Sequence, residues 1–237
     1  MPPAEARDRL IVALDVDSLA RAEELVTALA PLVTTFKVGG PLFTAAGPAA
    51  VELVRKRGGK VFLDLKYHDI PAAVAGAVRG AARLGVAMLT VHASGGSAML
   101  RAAAEAAGES RAEGRPLVLA VTLLTSLDRR ALHRELRIPA TEEAQVLHLA
   151  QLAREAGCDG CVASPRELQP LRRLLGRDWV VVTPGIRPEA VAGDDQARVA
   201  SPEAAIAAGA DYLVVGRPIT AAPDPAKAAA GILEAIR

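Results

Sequence analysis

Eight short runs of β-branched and other apolar residues recur along the chain, separated by longer Ala- and Leu-rich segments whose charges fall at helical spacing. The runs cover Leu10–Leu14, Val33–Val38, Val61–Leu65, Met88–His92, Leu117–Val121, Gly160–Ala163, Trp179–Thr183 and Asp211–Val215. They are too continuously apolar for antiparallel strands with one wet face, which argues for a parallel sheet covered by helices. Helices are expected at Leu19–Leu29, Ala72–Leu84, Met99–Ala107, Glu142–Ala156, Pro165–Leu175 and Pro202–Ala208. Pro71, Pro165 and Pro202 sit where a first turn tolerates a missing N–H, and Gly85, Gly157, Gly176 and Gly209 follow as C-terminal stops. Eight βα units in 237 residues predict an α/β chain folded as a single (β/α)8 TIM barrel over 1–237, with its active site at the C-terminal strand ends. An open doubly wound sheet is the alternative, but no Gly-x-Gly-x-x-Gly turn follows the first run.

Composition narrows the partners. Cationic residues number 28 against 27 acidic ones, so no overall positive field exists to hold nucleic acid or an anionic membrane, and a bound anion must be gripped locally. Met1–Arg9 is polar and charged, and no apolar run reaches the ~18 residues of a membrane span. A soluble, cytoplasmic protein is expected. Cys158 and Cys161 have the spacing of a redox or zinc half-site, yet in a strand positions three apart face opposite ways, and nothing nearby completes four ligands. No metal site is expected. Of the 28 cations only five are lysine, leaving 23 arginines, so a lysine in a special place asks for a reason.

Each run delivers polar residues at its C-terminal end: Asp15, then Lys37, then Asp64 with Lys66, then His92, Thr122 with Thr125, Ser164, Thr183-Pro184-Gly185, and Gly216-Arg217. The densest cluster is Asp64-Leu-Lys66-Tyr-His-Asp69-Ile-Pro71. Two residues apart in a strand, Asp64 and Lys66 share a face directed into the barrel mouth. They can be a neutralising internal pair, and Asp69 can be a helix N-cap. The competing reading is chemical. Arginine stays protonated, whereas a lysine ammonium can give up its proton, so Lys66 and Lys37 among carboxylates suggest proton transfer or a charge relay.

Gly216-Arg217 and Pro184-Gly185-Ile186-Arg187 place backbone N–H groups and two guanidinium forks after strands eight and seven, where such barrels bind phosphate. Tight turns with solvated arginines are the alternative there. The stretch 185–199 is the longest irregular connection and reads either as a lid or as a surface insertion. His133 and His148 need no more than solvated helical positions, while His68 and His92 at strand ends suggest hydrogen bonding or structural support.

Taken in order, these residues resemble the orotidine 5′-monophosphate decarboxylase family in its short bacterial type. The resemblance runs through Leu10-Ile-Val-Ala-Leu-Asp15, Phe36-Lys37-Val-Gly39, the Asp64–Pro71 cluster, Thr90-Val-His92-Ala, Val121-Thr-Leu-Leu-Thr125-Ser, Thr183-Pro-Gly-Ile-Arg187, Gly193-Asp-Asp-Gln196-Ala-Arg198 and Val215-Gly-Arg217. It implies decarboxylation of orotidine 5′-monophosphate to uridine 5′-monophosphate without metal or organic cofactor. By the same resemblance Lys66 stabilises and protonates a ring carbanion, and Asp64 sits beside the departing carboxylate. Asp69 and Ile70 reach into the neighbouring site of a homodimer. Lys37 and Asp15 hold the ribose hydroxyls, and Thr125 holds the pyrimidine. Gln196, Arg187 and Arg217, with the Pro184 and Gly216 turns, take the phosphate and the lid. One departure stands out: the family often has threonine where this chain has Ala73, which puts a cross-subunit ribose contact in doubt. Metal-dependent sugar-phosphate lyases or epimerases on the same barrel share Asp-x-Lys-x-x-Asp. They look for an acidic ligand at the end of strand two, where this chain has Lys37.

Overall fold

The computed structural model describes residues 5–109, 114–188 and 199–237. Eight strands, β1 (Leu10–Ala13), β2 (Thr35–Gly39), β3 (Lys60–Tyr67), β4 (Met88–His92), β5 (Leu117–Val121), β6 (Gly160–Val162), β7 (Val180–Thr183) and β8 (Tyr212–Val215), close in sequence order into one barrel. Every neighbouring pair is parallel, and β8 pairs with β1 through Leu10–Leu213, Ile11–Val214 and Val12–Val215. All eight expected strands are present, with ends shifted by a residue or two, and the closed order excludes the open sheet.

The barrel helices are α1 (Leu19–Leu29), α2 (Pro48–Lys56), α3 (Pro71–Arg83), α4 (Gly96–Gly108), α5 (Glu142–Glu155), α6 (Leu168–Leu175), α7 (Pro202–Ala208) and α8 (Pro225–Ala235). Helices α2 and α8 lie outside the sequence expectation, as do the short turns Gly40–Ala46 and Arg217–Thr220. Helix α2 has an apolar face, burying Ala50, Val51 and Val54, but at nine residues it is too short for that pattern to stand out, and in α8 a run of alanines blurs the contrast between faces. Ser18, Thr141, Ser201 and Asp224 cap α1, α5, α7 and α8 with side-chain oxygens. The expected glycine stops all take positive φ.

Two apolar layers hold the sheet. Strand residues of one parity pack outward against the helices, while Ile11, Ala13, Phe62, Met88, Leu119, Val182 and Val214 fill the barrel interior. Because side chains alternate, the residue two beyond each inner one points inward again, one layer nearer the mouth. That step takes Ala13 to Asp15, Phe62 to Asp64, Met88 to Thr90 and Val214 to Gly216. At Gly160 an added Cβ would fall 2.3 Å from the Val180 carbonyl oxygen, so β6 and β7 can approach only with glycine there.

The opposite end is tied by buried ions. Arg172 of α6 donates to Asp211 Oδ2 at 2.6 Å and to the carbonyls of Gly209 and Trp179, and Asp211 Oδ2 also accepts the Val181 N–H. Both side chains are at most one-tenth exposed. Asp159, just before β6, similarly accepts from Arg115 and from the Val118 N–H. Removing Arg172 strands a buried carboxylate. Arg172→Ala should therefore lower unfolding free energy by about 3 kcal/mol in urea titrations, while kcat/KM of the folded fraction stays at the wild-type value.

Candidate active site

The cavity at the C-terminal strand ends has a volume of about 660 Å³. It brings together Asp15, Lys37, Asp64, Lys66, Thr125, Pro184, Arg187, Gly216 and Arg217, with Phe62, Leu123 and Val162 among its apolar lining. Asp69 and Ile70 are not among the lining residues. Ile70 is 68% exposed, and Asp69 Oδ1 accepts the Ile70 N–H at 2.6 Å. The N-cap reading of Asp69 fails, because α3 begins at Pro71 after Ile70 with no side-chain cap. Gln196, with Gly193 and Arg198, lies outside the described residues, as does most of the 185–199 stretch. The two sides of that connection meet in a bridge: Arg187 N–H donates to Ala200 O at 2.9 Å, and Ala200 N–H donates to Gly185 O.

Four charges form one alternating array. Lys37 Nζ lies 2.8 Å from Asp15 Oδ1 and 3.5 Å from Asp64 Oδ2, and Lys66 Nζ lies 2.8 Å from the same Asp64 oxygen. The Asp64 side chain is only 11% exposed, and the Thr90 hydroxyl donates to its Oδ1 at 2.9 Å. Burial works to raise the Asp64 pKa. The charges of Lys37 and Lys66 and the hydrogen bonds from Lys66 and Thr90 outweigh it and hold the carboxyl below its ordinary value.

Asp64 and Lys66 share the cavity, as their spacing predicts, but the strand between them is irregular. Between Leu63–Leu89 and Tyr67–Val91 the β3–β4 register shifts, and Lys66 takes φ of 51° in the left-handed region. Sequence spacing gave no sign of this bulge. It also assigned no role to Gly39, where an added Cβ would fall 2.8 Å from Asp15 Oδ1 and 2.9 Å from Lys37 Nζ. The only signal was its place two residues after Lys37.

His68 and His92 stand with ring centroids 5.4 Å apart. Burial first, then the positive charge of His68 and Lys66, presses the His92 imidazole below its ordinary value against the pull of Asp64. His148 is exposed as expected, but His133 is half-buried and its Nε2 lies 2.8 Å from Ala140 O, which binds it to the β5–α5 connection. Both cysteines are free and buried, and burial pushes the Cys158 thiol up to about 12 and Cys161 up as well. Neither is a nucleophile at neutral pH. Among the described residues no group of three His, Cys, Asp or Glu side chains could hold a metal ion, and no helix is long and apolar enough to cross a membrane.

An alternating carboxylate–ammonium array beside two arginine-bearing turns, at the mouth of a closed eight-stranded barrel, defines the class: a (β/α)8 barrel with a highly charged cavity at the C-terminal ends of its strands. Residues 8–232 match the family described as "Orotidine 5'-phosphate decarboxylase / HUMPS family". The chain is 57% identical over 230 residues to the orotidine 5′-phosphate decarboxylase of Moorella thermoacetica, covering 96% of this chain and 91% of that one. It is 54% identical to the protein of the same name from Syntrophotalea carbinolica, covering 97% and 95%. Among solved structures, orotidine 5′-phosphate decarboxylase from Lactobacillus acidophilus superposes with a TM-score of 0.86 at 36% identity, covering 97% of this chain and 99% of that one. The chain belongs to the orotidine 5′-phosphate decarboxylase / HUMPS family.

Two outcomes follow from the array. Because the folded Asp64 pKa lies below its unfolded value near 3.8, the unfolded chain binds more protons in the window just below that value. Wild-type stability relative to Asp64→Asn should rise with pH through that window and be flat above about pH 5, as read by urea unfolding at fixed pH. Gly39→Ala should drive Asp15 and Lys37 apart and lower kcat/KM at least tenfold, or about 1.4 kcal/mol, with little loss of thermal stability.

Proposed function

We propose that this chain decarboxylates orotidine 5′-monophosphate to uridine 5′-monophosphate in pyrimidine nucleotide synthesis, without metal or organic cofactor. The observation that carries the reading is the Asp15–Lys37–Asp64–Lys66 array, in a chain more than half identical to relatives bearing that name. Lys37 in β2, facing the cavity where those enzymes look for an acidic ligand, favours it over metal-dependent sugar-phosphate chemistry.

Chemically, the ring carbon–carboxylate bond breaks and its electron pair stays on the ring carbon, while carbon dioxide leaves past Asp64. The Lys66 ammonium faces the growing negative charge, then gives its proton to that carbon and recovers one from water. An array already fixed in place needs no reorganisation as charge moves from carboxylate to ring. Asp15 and Lys37 take the ribose hydroxyls and Thr125 the pyrimidine. Arg217, Arg187 and Gln196, with the turns at Pro184 and Gly216, take the phosphate. The phosphate lies away from the reacting carbon, so its binding energy can drive closure of 185–199 and be expressed in the transition state.

Asp69 and Ile70 complete the neighbouring site of a cytoplasmic homodimer. Ile70 is a large apolar side chain left exposed at the rim, and Asp69 stands outside its own cavity, which supports that reading. Ala73 makes no side-chain hydrogen bond, so the ribose contact from the partner rests on Asp69.

The first test is conversion of orotidine 5′-monophosphate in excess chelator. Rapid turnover that disappears in Lys66→Ala is expected, and a chelator-sensitive reaction or an inert wild type turns the reading toward the sugar-phosphate enzymes. Arg217→Ala should lose roughly 100-fold in kcat/KM, about 2.7 kcal/mol. Mixed Lys66→Ala and Asp69→Ala subunits should regain about a quarter of wild-type activity by random pairing, and no recovery despite demonstrated exchange counts against a shared site.

A further inference from the structure

We propose that Thr90 is a positioning residue for this reaction, its hydroxyl locking the Asp64 carboxylate to the Lys66 backbone so that the pair is set before substrate arrives. This rests on the decarboxylase reading above.

Between the paired positions Leu63–Leu89 and Tyr67–Val91, β3 supplies Asp64, Leu65 and Lys66, whereas β4 supplies Thr90 alone. An inserted stretch leaves ladder groups without their regular partners, and a buried N–H so left is costly. The Thr90 hydroxyl fills that gap. Its oxygen accepts the Lys66 N–H at 2.9 Å, and its proton goes to Asp64 Oδ1 at 2.9 Å. A hydroxyl has one donor and two acceptor lone pairs, so both bonds form at once.

Thr90 is fully buried and does not line the cavity, so it acts through Asp64 and Lys66 and not on a ligand. Its β-branch restricts χ1, which aims the oxygen. Lys66 sits in the left-handed region, where a non-glycine residue stays only if its surroundings hold it. The hydrogen bond to its N–H is such a hold. The other groups facing Asp64 are Lys37 from β2 and Lys66 from β3, with Asp15 acting through Lys37 and His92 two residues along β4.

The test compares wild type, Thr90→Val and Thr90→Ser in steady-state kinetics on orotidine 5′-monophosphate, with carboxyl ¹³C titration of Asp64 assigned through Asp64→Asn. Valine keeps the shape and removes both bonds, and serine keeps the hydroxyl. Thr90→Val should lose roughly 100-fold in kcat with KM changed little. Its Asp64 resonance should titrate at higher pH, since a bond to the charged form has gone. Thr90→Ser should recover most of both. Unchanged kcat and titration in Thr90→Val overturn the proposal, as does a serine variant as impaired as valine, which would show that shape alone matters. Should Thr90→Val not fold, Thr90→Ala against Thr90→Ser gives the same contrast. A wild type inert toward the substrate, with the Asp64 shift still dependent on the hydroxyl, overturns the decarboxylase reading and supports the positioning role.

Discussion

The Asp64 carboxylate, at the end of β3 and almost withdrawn from water, stays ionised because Lys37, Lys66 and Thr90 surround it. Burial alone would raise its pKa, and a neutral Asp64 would leave two ammonium groups facing each other across one carboxyl. The three neighbours lie on β2, β3 and β4, so the array exists only when those strands pair in their observed register. Folding and site assembly are thus one event, and the site inherits the rigidity of the sheet.

The division between the two ends of the barrel follows from the same alternation. Inner residues such as Ala13, Phe62, Met88 and Val214 form an apolar floor. The next inward positions, Asp15, Asp64 and Thr90 among them, carry the charged array and its hydrogen bonds above it. At the other end, Arg172 with Asp211 and Arg115 with Asp159 tie strand starts to one another through charge and backbone N–H groups. Arg172 and Asp211 are buried and held by several bonds each, so that pair serves the fold. The mouth array is equally paired within the protein, but it lines an open cavity where a substrate can compete for the same partners.

Much of this was legible in the residues. Strand count, parallel order and the mouth positions of Asp15, Lys37, Asp64, Lys66 and Arg217 follow from apolar runs that end in polar residues. The bulge in β3 was not legible, because a two-residue spacing looks the same in a regular strand and in an irregular one. Thr90 was passed over for a related reason: threonine is an ordinary strand former, and only the shifted register shows that its hydroxyl replaces a ladder bond. Gly39 was hidden because its effect is the absence of a side chain where two charged atoms need room. Helix α2 escaped because its apolar face spans only nine residues, and α8 because its run of alanines blurs the contrast between faces.

The left-handed backbone at Lys66 poses the sharpest question of economy. Glycine would adopt φ of 51° with no steric penalty, whereas a lysine there costs on the order of 1 kcal/mol or more. On the proposed decarboxylase reading a lysine belongs there because its ammonium gives up a proton at the mouth, which arginine, always protonated, could not do. The strain also has a geometric effect. A regular strand would place the Lys66 N–H in the ladder, whereas here it is bonded by the Thr90 hydroxyl while Nζ meets Asp64 Oδ2 at 2.8 Å. Stability lost at one residue is exchanged for an ion pair oriented before any ligand binds, and Thr90 is the side chain that keeps the backbone from relaxing out of that arrangement.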